Sequence, residues 1–157
     1  LKEIEGKYKY IFIDCPPSLE LLTLNGLAAA DSILVPVQCE YYALEGLSQL
    51  IHTVQLVKER LNPVLEIEGV VFTMYDARTN LSLQVVENVK DNLQQNIYKT
   101  IIPRNIRLAE APSYGMPITL FDARSKGAKS YEKFAKEFMK NNEKGKEEAS
   151  KPKHMKE

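Results

Sequence analysis

The sequence predicts an α/β protein with a doubly wound, mostly parallel sheet and flanking helices. Two observations support this fold class. Short apolar runs that end in turn-forming residues alternate along the chain with longer segments in which apolar residues recur every three or four positions. The first pattern is typical of strands that are covered on both faces, and the second of amphipathic helices. Strands and helices that alternate in this way form βαβ crossovers, which place the strands in parallel.

The first half of the chain contains two predicted strands. Residues 10–13 are a continuous apolar run before a pair of prolines, which predicts a buried parallel strand. Ser18 is a suitable N-cap for a helix over residues 19–29. A second strand is predicted over residues 32–37. Because Pro36 cannot donate to a sheet ladder, we expect it at the end of that strand or at a bulge.

The remaining elements follow from the same patterns. A long amphipathic helix should end where Asn62 and Pro63 interrupt the pattern, and Pro103 should close the last strand. Beyond Lys140 the chain carries almost no large apolar residue, so we predict one domain over residues 1–139 and a charged disordered tail over residues 140–157. The predicted elements are a helix over 44–61, a strand over 67–74, a helix over 79–93, a strand over 97–102 and a helix over 125–139.

The composition limits the classes of function. The chain has 157 residues, and its 21 Lys and Arg balance 21 Asp and Glu, so the formal net charge is zero. DNA binding would therefore depend on a local basic surface. The two cysteines and two histidines lack the spacing of a zinc site. No segment approaches the ~20 apolar residues that cross a bilayer, and we expect a cytoplasmic protein.

Asp14 is the first candidate for chemistry, since ligands of doubly wound sheets bind beyond the carboxyl ends of the strands. It directly follows the first apolar run. A carboxylate in this place can hold Mg²⁺ directly or through water, as in phosphoryl-transfer proteins. It can also cap the turn before the helix, or serve as a phospho-acceptor in a receiver-type domain. The residues alone leave these alternatives open.

Three long strings of residues resemble the ParA/Soj family of partitioning ATPases. They are YKYIFIDCPPSLELLTLNGLAAADSILVPVQCEYYALEGL, IEGVVFTMYDARTNLS and TIIPRNIRLAEAPSYGMPITLFDARSKGA, and together they extend over roughly residues 8–139. The resemblance implies a P-loop NTPase-like fold that uses ATP and Mg²⁺. It also implies an ATP-dependent homodimer, non-specific DNA binding at the nucleoid, and a ParB-type centromere-binding protein as partner.

The resemblance assigns roles to five residues. Asp14 matches the catalytic Walker B aspartate, which lies near Mg²⁺ and binds it through water. Pro103 and Asn105 match positions that contact adenine, and a proline carbonyl and an asparagine amide can pair with a base edge. Arg78 and Arg107 match positions implicated in DNA binding. The alternatives are a turn in which Pro103 ends a strand and Asn105 caps a helix, and arginines that are ordinary surface charges.

The sequence departs from the family at one essential motif. ParA/Soj proteins open with a KGGxGKT-type Walker A loop, whose amides and lysines bind the phosphates, and these 157 residues contain no such loop. We therefore expect a chain that begins partway through a larger domain and has no ATPase activity alone. A catalytically inactive regulatory or dimerisation fragment is the alternative. A MinD-like positioning ATPase is disfavoured, because the tail lacks the bulky apolar residues that dock on a membrane.

Overall fold

A computed structural model describes residues 1–150 except residues 2, 5, 17, 19 and 94, and describes side chains as far as Glu143. Two parallel strands lie between layers of helices, with a third extended segment beside them. The elements are α1 (Leu21–Ala29), β1 (Ser32–Gln38), α2 (Ala43–Arg60), β2 (Glu66–Thr73), α3 (Asn80–Asn92), α4 (Ile106–Glu110), a 3₁₀ turn (Ala111–Tyr114), α5 (Ile118–Phe121) and α6 (Lys126–Ser150).

The sheet has the parallel βαβ connection that the sequence predicts. β1 pairs with β2 from Ser32 opposite Glu66 to Gln38 opposite Thr73, with one irregularity between Ile33 and Leu34, and α2 forms the crossover. The predicted positions of both strands and of α2 and α3 are confirmed to within about one residue at each end, within the usual scatter of helix and strand boundaries.

Helices cover both faces of the sheet, which is the doubly wound arrangement. Because side chains alternate across a strand, Val70 and Phe72 of β2 face the cluster that contains Val85 and Val89 of α3. Val71, between them, faces the opposite layer, where Tyr98, Ile102 and two phenylalanines of α6 pack together. The apolar run of β2 is therefore continuous because both of its faces are buried.

The predicted fourth strand, over residues 97–102, is wrong as a continuous strand. The segment runs parallel to β2, on the edge opposite β1, but pairs with it only at two isolated bridges, Val70 with Ile97 and Tyr75 with Pro103. Between the bridges, the backbone amides of Lys99 and Thr100 donate to a side chain of α6. The amides of Tyr98 and Ile102 donate to Val70 and Phe72 of β2, so the backbone bonds to β2 skip Lys99 and Thr100.

The predicted first strand, over residues 10–13, is also wrong. The segment forms no strand, and the side chains of Ile11, Phe12 and Ile13 are 43%, 69% and 44% exposed. An open cleft separates residues 8–16 from β1, so β1 does not provide the hydrogen-bonding partner that a parallel strand needs. The segment is anchored instead by Tyr10 and Phe12, whose rings lie 5.5 and 5.6 Å from that of Phe138 in α6.

Two local predictions in the first half fail for identifiable reasons. Ser18 is not the N-cap of α1, which begins at Leu21 after Glu20. The carbonyl of Ser18 instead accepts from the buried hydroxyl of Thr23 at 2.6 Å, which holds the chain in a loop. Pro36 lies inside β1, opposite Val71, and not at an end or bulge. The amide of Cys39 donates to β2, and amides alternate in direction along a strand, so the position of Pro36 points away from β2 and no ladder bond is lost.

The last helix continues beyond the predicted end at Met139 to Ser150. Its additional turns make tertiary contacts. Nδ2 of the Asn142 side chain donates to the Glu68 carboxylate at 2.7 Å, and Glu143 pairs with Lys9 at 2.9 Å. The low apolar content of this stretch did not indicate these contacts. The rest of the predicted disordered tail, residues 151–157, lies outside the described residues.

Candidate functional site

A cleft of about 1900 Å³ opens at the carboxyl ends of β1 and β2 and extends along the free edge of β1. One wall is the extended segment of residues 8–16, which includes the exposed Asp14. The opposite wall is β1 together with the residues that follow the strands. The charged side chains at this end of the cleft belong to Asp14, Glu40, Asp76 and Arg104.

An ion pair joins two of the connections at the carboxyl end of the sheet. Nη2 of Arg104 lies 2.6 Å from Oε1 of Glu40, and both side chains are about half exposed. Glu40 follows β1, whereas Arg104 follows the segment on the far side of β2. An exposed pair of this kind contributes ~0–1 kcal/mol to stability. Its main effect is to hold the turn after Pro103 against the start of the connection to α2.

Asp76 and Arg78 form a two-pronged ion pair after β2. Nε and Nη2 of Arg78 donate to the two carboxylate oxygens of Asp76 at 2.9 and 2.7 Å, and the Arg78 amide donates to Oδ1 at 3.1 Å. These bonds from Arg78, with a smaller contribution from the charge of Arg104, hold the pKa of Asp76 well below its usual range. The Arg78 side chain remains 87% exposed, so its charge is accessible but already compensated.

The turn at residues 103–105 contains an unsatisfied polar atom. Asn105 occupies the N-cap position of α4 in an extended conformation, but its side chain makes no capping bond. Its Oδ1 is buried, and none of the described residues donates to it. The alternative in which the Asn105 side chain caps the helix is therefore wrong. A buried acceptor without a donor costs ~1–3 kcal/mol, so a ligand with a suitable N–H would be favoured at this position.

Arg107 is held at the surface of the α4–α5 region. Its Nη1 lies 2.7 Å from Glu110, its Nε lies 3.0 Å from Asp122, and its guanidinium lies 5.1 Å from the centre of the Phe121 ring. The hydrogen bonds that Arg107 donates to Glu110 and Asp122 raise the pKa of Arg107, while the guanidinium lowers the pKa of Asp122. This arginine is therefore fixed in place by two carboxylates and a ring.

The structure brings together only some of the residues that the sequence singled out. Asp14 lines the same cleft as Arg104, while Pro103 and Asn105, on either side of Arg104, do not line it. Within the described part of the chain, no group of three or more His, Cys, Asp or Glu side chains is arranged to hold a metal ion. A lone carboxylate is nevertheless compatible with Mg²⁺, which in nucleotide sites is held by one or two carboxylates together with phosphate oxygens and waters.

Sequence reasoning missed the pairing of Glu40 with Arg104 and the pairing of Asp76 with Arg78. These residues follow three different extended segments, and Glu40 and Arg104 are 64 positions apart. Their positions just beyond the strand ends were the available signal, because the carboxyl ends of parallel strands lie at one edge of the sheet. Nothing in the sequence identified which charges would pair.

Comparison with known proteins identifies the relatives of this chain. Residues 1–67 match a protein-family model described as an AAA domain. Over 137 residues the chain is 61% identical to the sporulation initiation inhibitor protein Soj of Bacillus subtilis, covering 87% of this chain and 54% of Soj. It is 57% identical over 140 residues to the chromosome partitioning protein ParA of Myxococcus xanthus, covering 89% and 50%. This chain is a homologue of the Soj/ParA chromosome-partitioning proteins.

The Soj/ParA homologue spans about half the length of the relatives that it matches. Among solved structures it resembles cobyrinic acid a,c-diamide synthase from Mycobacterium smegmatis with bound ATP analog and magnesium, with a TM-score of 0.74 and 35% identity over 92% of this chain and 52% of that one. The cell division ATPase MinD of Pyrococcus furiosus shares the fold, with a TM-score of 0.71 and 24% identity over 88% and 55%. No helix within the described residues is long and apolar enough to cross a membrane.

Proposed function

We propose that this chain is part of a Soj/ParA-type ATPase that uses cycles of ATP binding and hydrolysis to partition a chromosome or plasmid. In this proposal the chain supplies the turn that contacts adenine and the carboxylate that faces Mg²⁺. The buried Oδ1 of Asn105, to which none of the described residues donates, is the observation that carries it. A buried acceptor without a donor calls for a partner such as a water, an ion or a ligand, and the adenine amine is the donor that we propose.

Adenine fits the Pro103–Asn105 turn by its chemistry. Its exocyclic amine is a donor that Oδ1 of Asn105 can accept, and the carbonyl of Pro103 is a second acceptor in the same turn. The bridge between Tyr75 and Pro103 and the amide of Arg104, which donates to the Tyr75 carbonyl at 2.8 Å, fix the backbone here. A base would therefore meet acceptors held by β2 rather than a loose loop.

Asp14 is proposed to face the magnesium end of the same nucleotide. Pro103 and Asn105 do not line the cleft that Asp14 borders, but Arg104, which lies between them, does. It lies in the wall of the cleft, beyond the ring contacts that anchor residues 10–12 to α6, and its side chain is exposed. A carboxylate at this place can accept hydrogen bonds from water bound to the metal and so orient the ion. When bound, Mg²⁺ neutralises the charge of the phosphates. Asp14 is accordingly the catalytic residue that we assign to this chain.

ATP titration of the complete protein that contains this chain tests the base contact. Asn105→Ala should weaken ATP binding by roughly fivefold to tenfold, the value of one hydrogen bond to a buried acceptor. The same change should leave the ligand-free protein as stable as before or more stable, because it removes an unpaired buried oxygen. Asn92→Ala, an exposed asparagine of α3, is the control and should change neither quantity. Equal ATP affinity in the Asn105→Ala and wild-type proteins would refute the assignment.

Asp14 has a separate test, because its role concerns the metal. Asp14→Asn should abolish the Mg²⁺-dependent ATPase activity of the complete protein while leaving ATP binding without Mg²⁺ nearly unchanged. The 157-residue chain alone should show no ATPase activity above background. Turnover by this chain, lost on Asp14→Ala, would show that the Walker A loop is dispensable and that the expectation of inactivity is wrong.

Arg78 and Arg107 are proposed to contact DNA phosphates in an ATP-bound homodimer at the nucleoid, with a ParB-type protein as partner. Both are accessible, but both are paired with carboxylates, so DNA must compete with Asp76 for Arg78 and with Glu110 and Asp122 for Arg107. This compensation agrees with a neutral chain whose DNA binding depends on assembly.

Removing a compensating carboxylate should therefore strengthen the binding of non-specific DNA. We expect Asp76→Asn to raise the affinity and Arg78→Ala or Arg107→Ala to lower it, with a smaller dependence on salt concentration because a phosphate contact is lost. Arg60→Ala, at the carboxyl end of α2 on the opposite side of the molecule, is the control. Fluorescence anisotropy with labelled duplex at several salt concentrations measures all four variants. Unchanged binding in both arginine variants would remove the two assignments.

A further inference from the structure

Glu137 of α6 binds the backbone of the segment that leads into the Pro103–Asn105 turn. Its Oε1 accepts from the amide of Lys99 at 2.7 Å, and its Oε2 accepts from the amide of Thr100 at 2.9 Å and from the Thr100 hydroxyl at 2.6 Å. Two adjacent amides and a hydroxyl thus converge on one carboxylate. Thr100 is 2% exposed, so its two bonds to Glu137 are partly buried, whereas the bond from the Lys99 amide is exposed.

The location of these bonds gives them a specific consequence. They fall between the bridges at Ile97 and Pro103, in the stretch where the segment makes no ladder with β2. Downstream, the Ile102 amide donates to Phe72 at 2.8 Å, and the Ile102 carbonyl accepts from Tyr75 at 3.2 Å. Upstream, the Tyr98 amide donates to the Val70 carbonyl at 2.9 Å. β2 therefore holds the segment on both sides of Lys99 and Thr100, and Glu137 adds a tether from α6 at these two residues.

The chemistry of this site calls for a carboxylate. Burial disfavours the charged form of Glu137, but hydrogen bonds from the Thr100 hydroxyl and from the amides of Lys99 and Thr100 outweigh it and lower the pKa. An ionised carboxylate offers two oxygens that only accept. A glutamine of the same length offers one oxygen, and its NH₂ group would face one of the two amides.

We propose that Glu137 is a positioning residue for the nucleotide base, through which α6 acts together with the bonds to Tyr75 to set the place of the Pro103–Asn105 turn. This inference rests on the proposed function, because it assumes that the turn contacts adenine. Glu137 touches neither the turn nor the cleft. It acts through Lys99 and Thr100, three to four residues before the turn, where a shift of the backbone would move the Asn105 acceptor away from the base.

Base discrimination is the measurement that separates positioning from a general structural role. The complete protein is titrated with ATP and with inosine triphosphate, which has a carbonyl in place of the exocyclic amine. We expect the wild type to bind ATP more tightly by about fivefold or more, the value of one hydrogen bond. Glu137→Gln should bring this ratio close to one. Glu132→Gln, the same change at an exposed site of α6, should keep the wild-type ratio.

A second variant covers the case in which Glu137→Gln fails to fold. Thr100→Val has nearly the same shape and removes only the hydroxyl bond, so it should lower the ATP-to-inosine ratio in the same direction but less. Hydrogen exchange in the ligand-free protein provides a readout that is independent of nucleotide. The amides of Lys99 and Thr100 should exchange faster in both variants and at the wild-type rate in Glu132→Gln.

The outcomes distinguish this inference from the proposed function. If the wild type binds both nucleotides equally, the base contact itself is wrong and the inference fails with it. If the wild type discriminates and Glu137→Gln or Thr100→Val weakens both nucleotides by the same factor, the base contact stands and the positioning role is overturned. A loss of discrimination together with faster exchange in the variants supports it.

Discussion

Asn62 should be one of the most destabilising positions for substitution outside the sheet. It lies just after α2 and is 7% exposed. Its side-chain nitrogen, Nδ2, donates to the carbonyls of Leu27 at 3.0 Å and Ala30 at 2.7 Å, at the carboxyl end of α1. Helix-terminal carbonyls have no partner within their own helix. Asn62 therefore supplies hydrogen bonds that α1 cannot make and joins α1 to the end of α2.

The expected cost of Asn62→Ala follows from these two bonds. Each contributes ~0.5–1.5 kcal/mol net, and a buried carbonyl left without a donor costs ~1–3 kcal/mol. Since the Leu27 contact is buried and the Ala30 contact partly buried, we expect a loss of about 2–3 kcal/mol in the free energy of unfolding. Asn62→Asp should cost more, because a carboxylate cannot donate and would face the negative end of the α1 dipole.

Urea unfolding followed by circular dichroism measures this difference. Asn92→Ala is a matched control, because Asn92 also donates to a helix carbonyl, that of Asn88 at 2.8 Å, but at an exposed site. A surface change of this kind should stay within about 0.5 kcal/mol. If Asn62→Ala is no more destabilising than Asn92→Ala, or if Asn62→Asp is as stable as the wild type, the capping role of Asn62 is wrong.

Two further predictions concern packing and pH. Gly69→Ala should destabilise the protein by about 1–3 kcal/mol through overpacking, because a Cβ there would lie 2.8 Å from the ring of Tyr98. Gly46→Ala, in open space on α2, should instead stabilise it by ~0.5–1 kcal/mol. Equal effects of the two changes on the free energy of unfolding would contradict this packing. Since the native pKa of Glu137 is below its ordinary value of 4.5, its contribution to stability should be present above that pH and be lost as the pH falls through the native pKa. The stability difference between wild type and Glu137→Gln should thus be largest near neutral pH and shrink in acid, and a difference that grows in acid in thermal unfolding would reverse this conclusion.

The sequence predicted best those elements whose signals are local. The bounds of α2 and α3 follow from the repeat of apolar residues and from the residues at their ends. The hydroxyl of Thr79 accepts from the amide of Ser82, as an N-cap should. β2 was predictable because both of its faces are buried, so its apolar run is unbroken.

Failed predictions depended on contacts between distant parts of the chain. Residues 10–13 have the composition of a buried strand, but a strand also needs a neighbour at hydrogen-bonding distance, and β1 lies across the cleft. Residues 97–102 form no continuous ladder with β2, and the amides of Lys99 and Thr100 donate instead to Glu137, which is 38 positions from Lys99. At the candidate site, the resemblance identified Asn105, but only the structure shows that its Oδ1 is buried and has no donor among the residues described.

The helix α6 contacts both the wall of the cleft that carries Asp14 and the segment that leads to Asn105. On one side, Phe138 packs against Tyr10 and Phe12, which precede Asp14. On the other side, Glu137, the adjacent residue, holds the segment that leads to Asn105. Neighbouring residues of α6 thus contact the wall that carries Asp14 and the segment that leads to the Pro103–Asn105 turn. A movement of α6 would therefore displace the proposed metal and adenine contacts together.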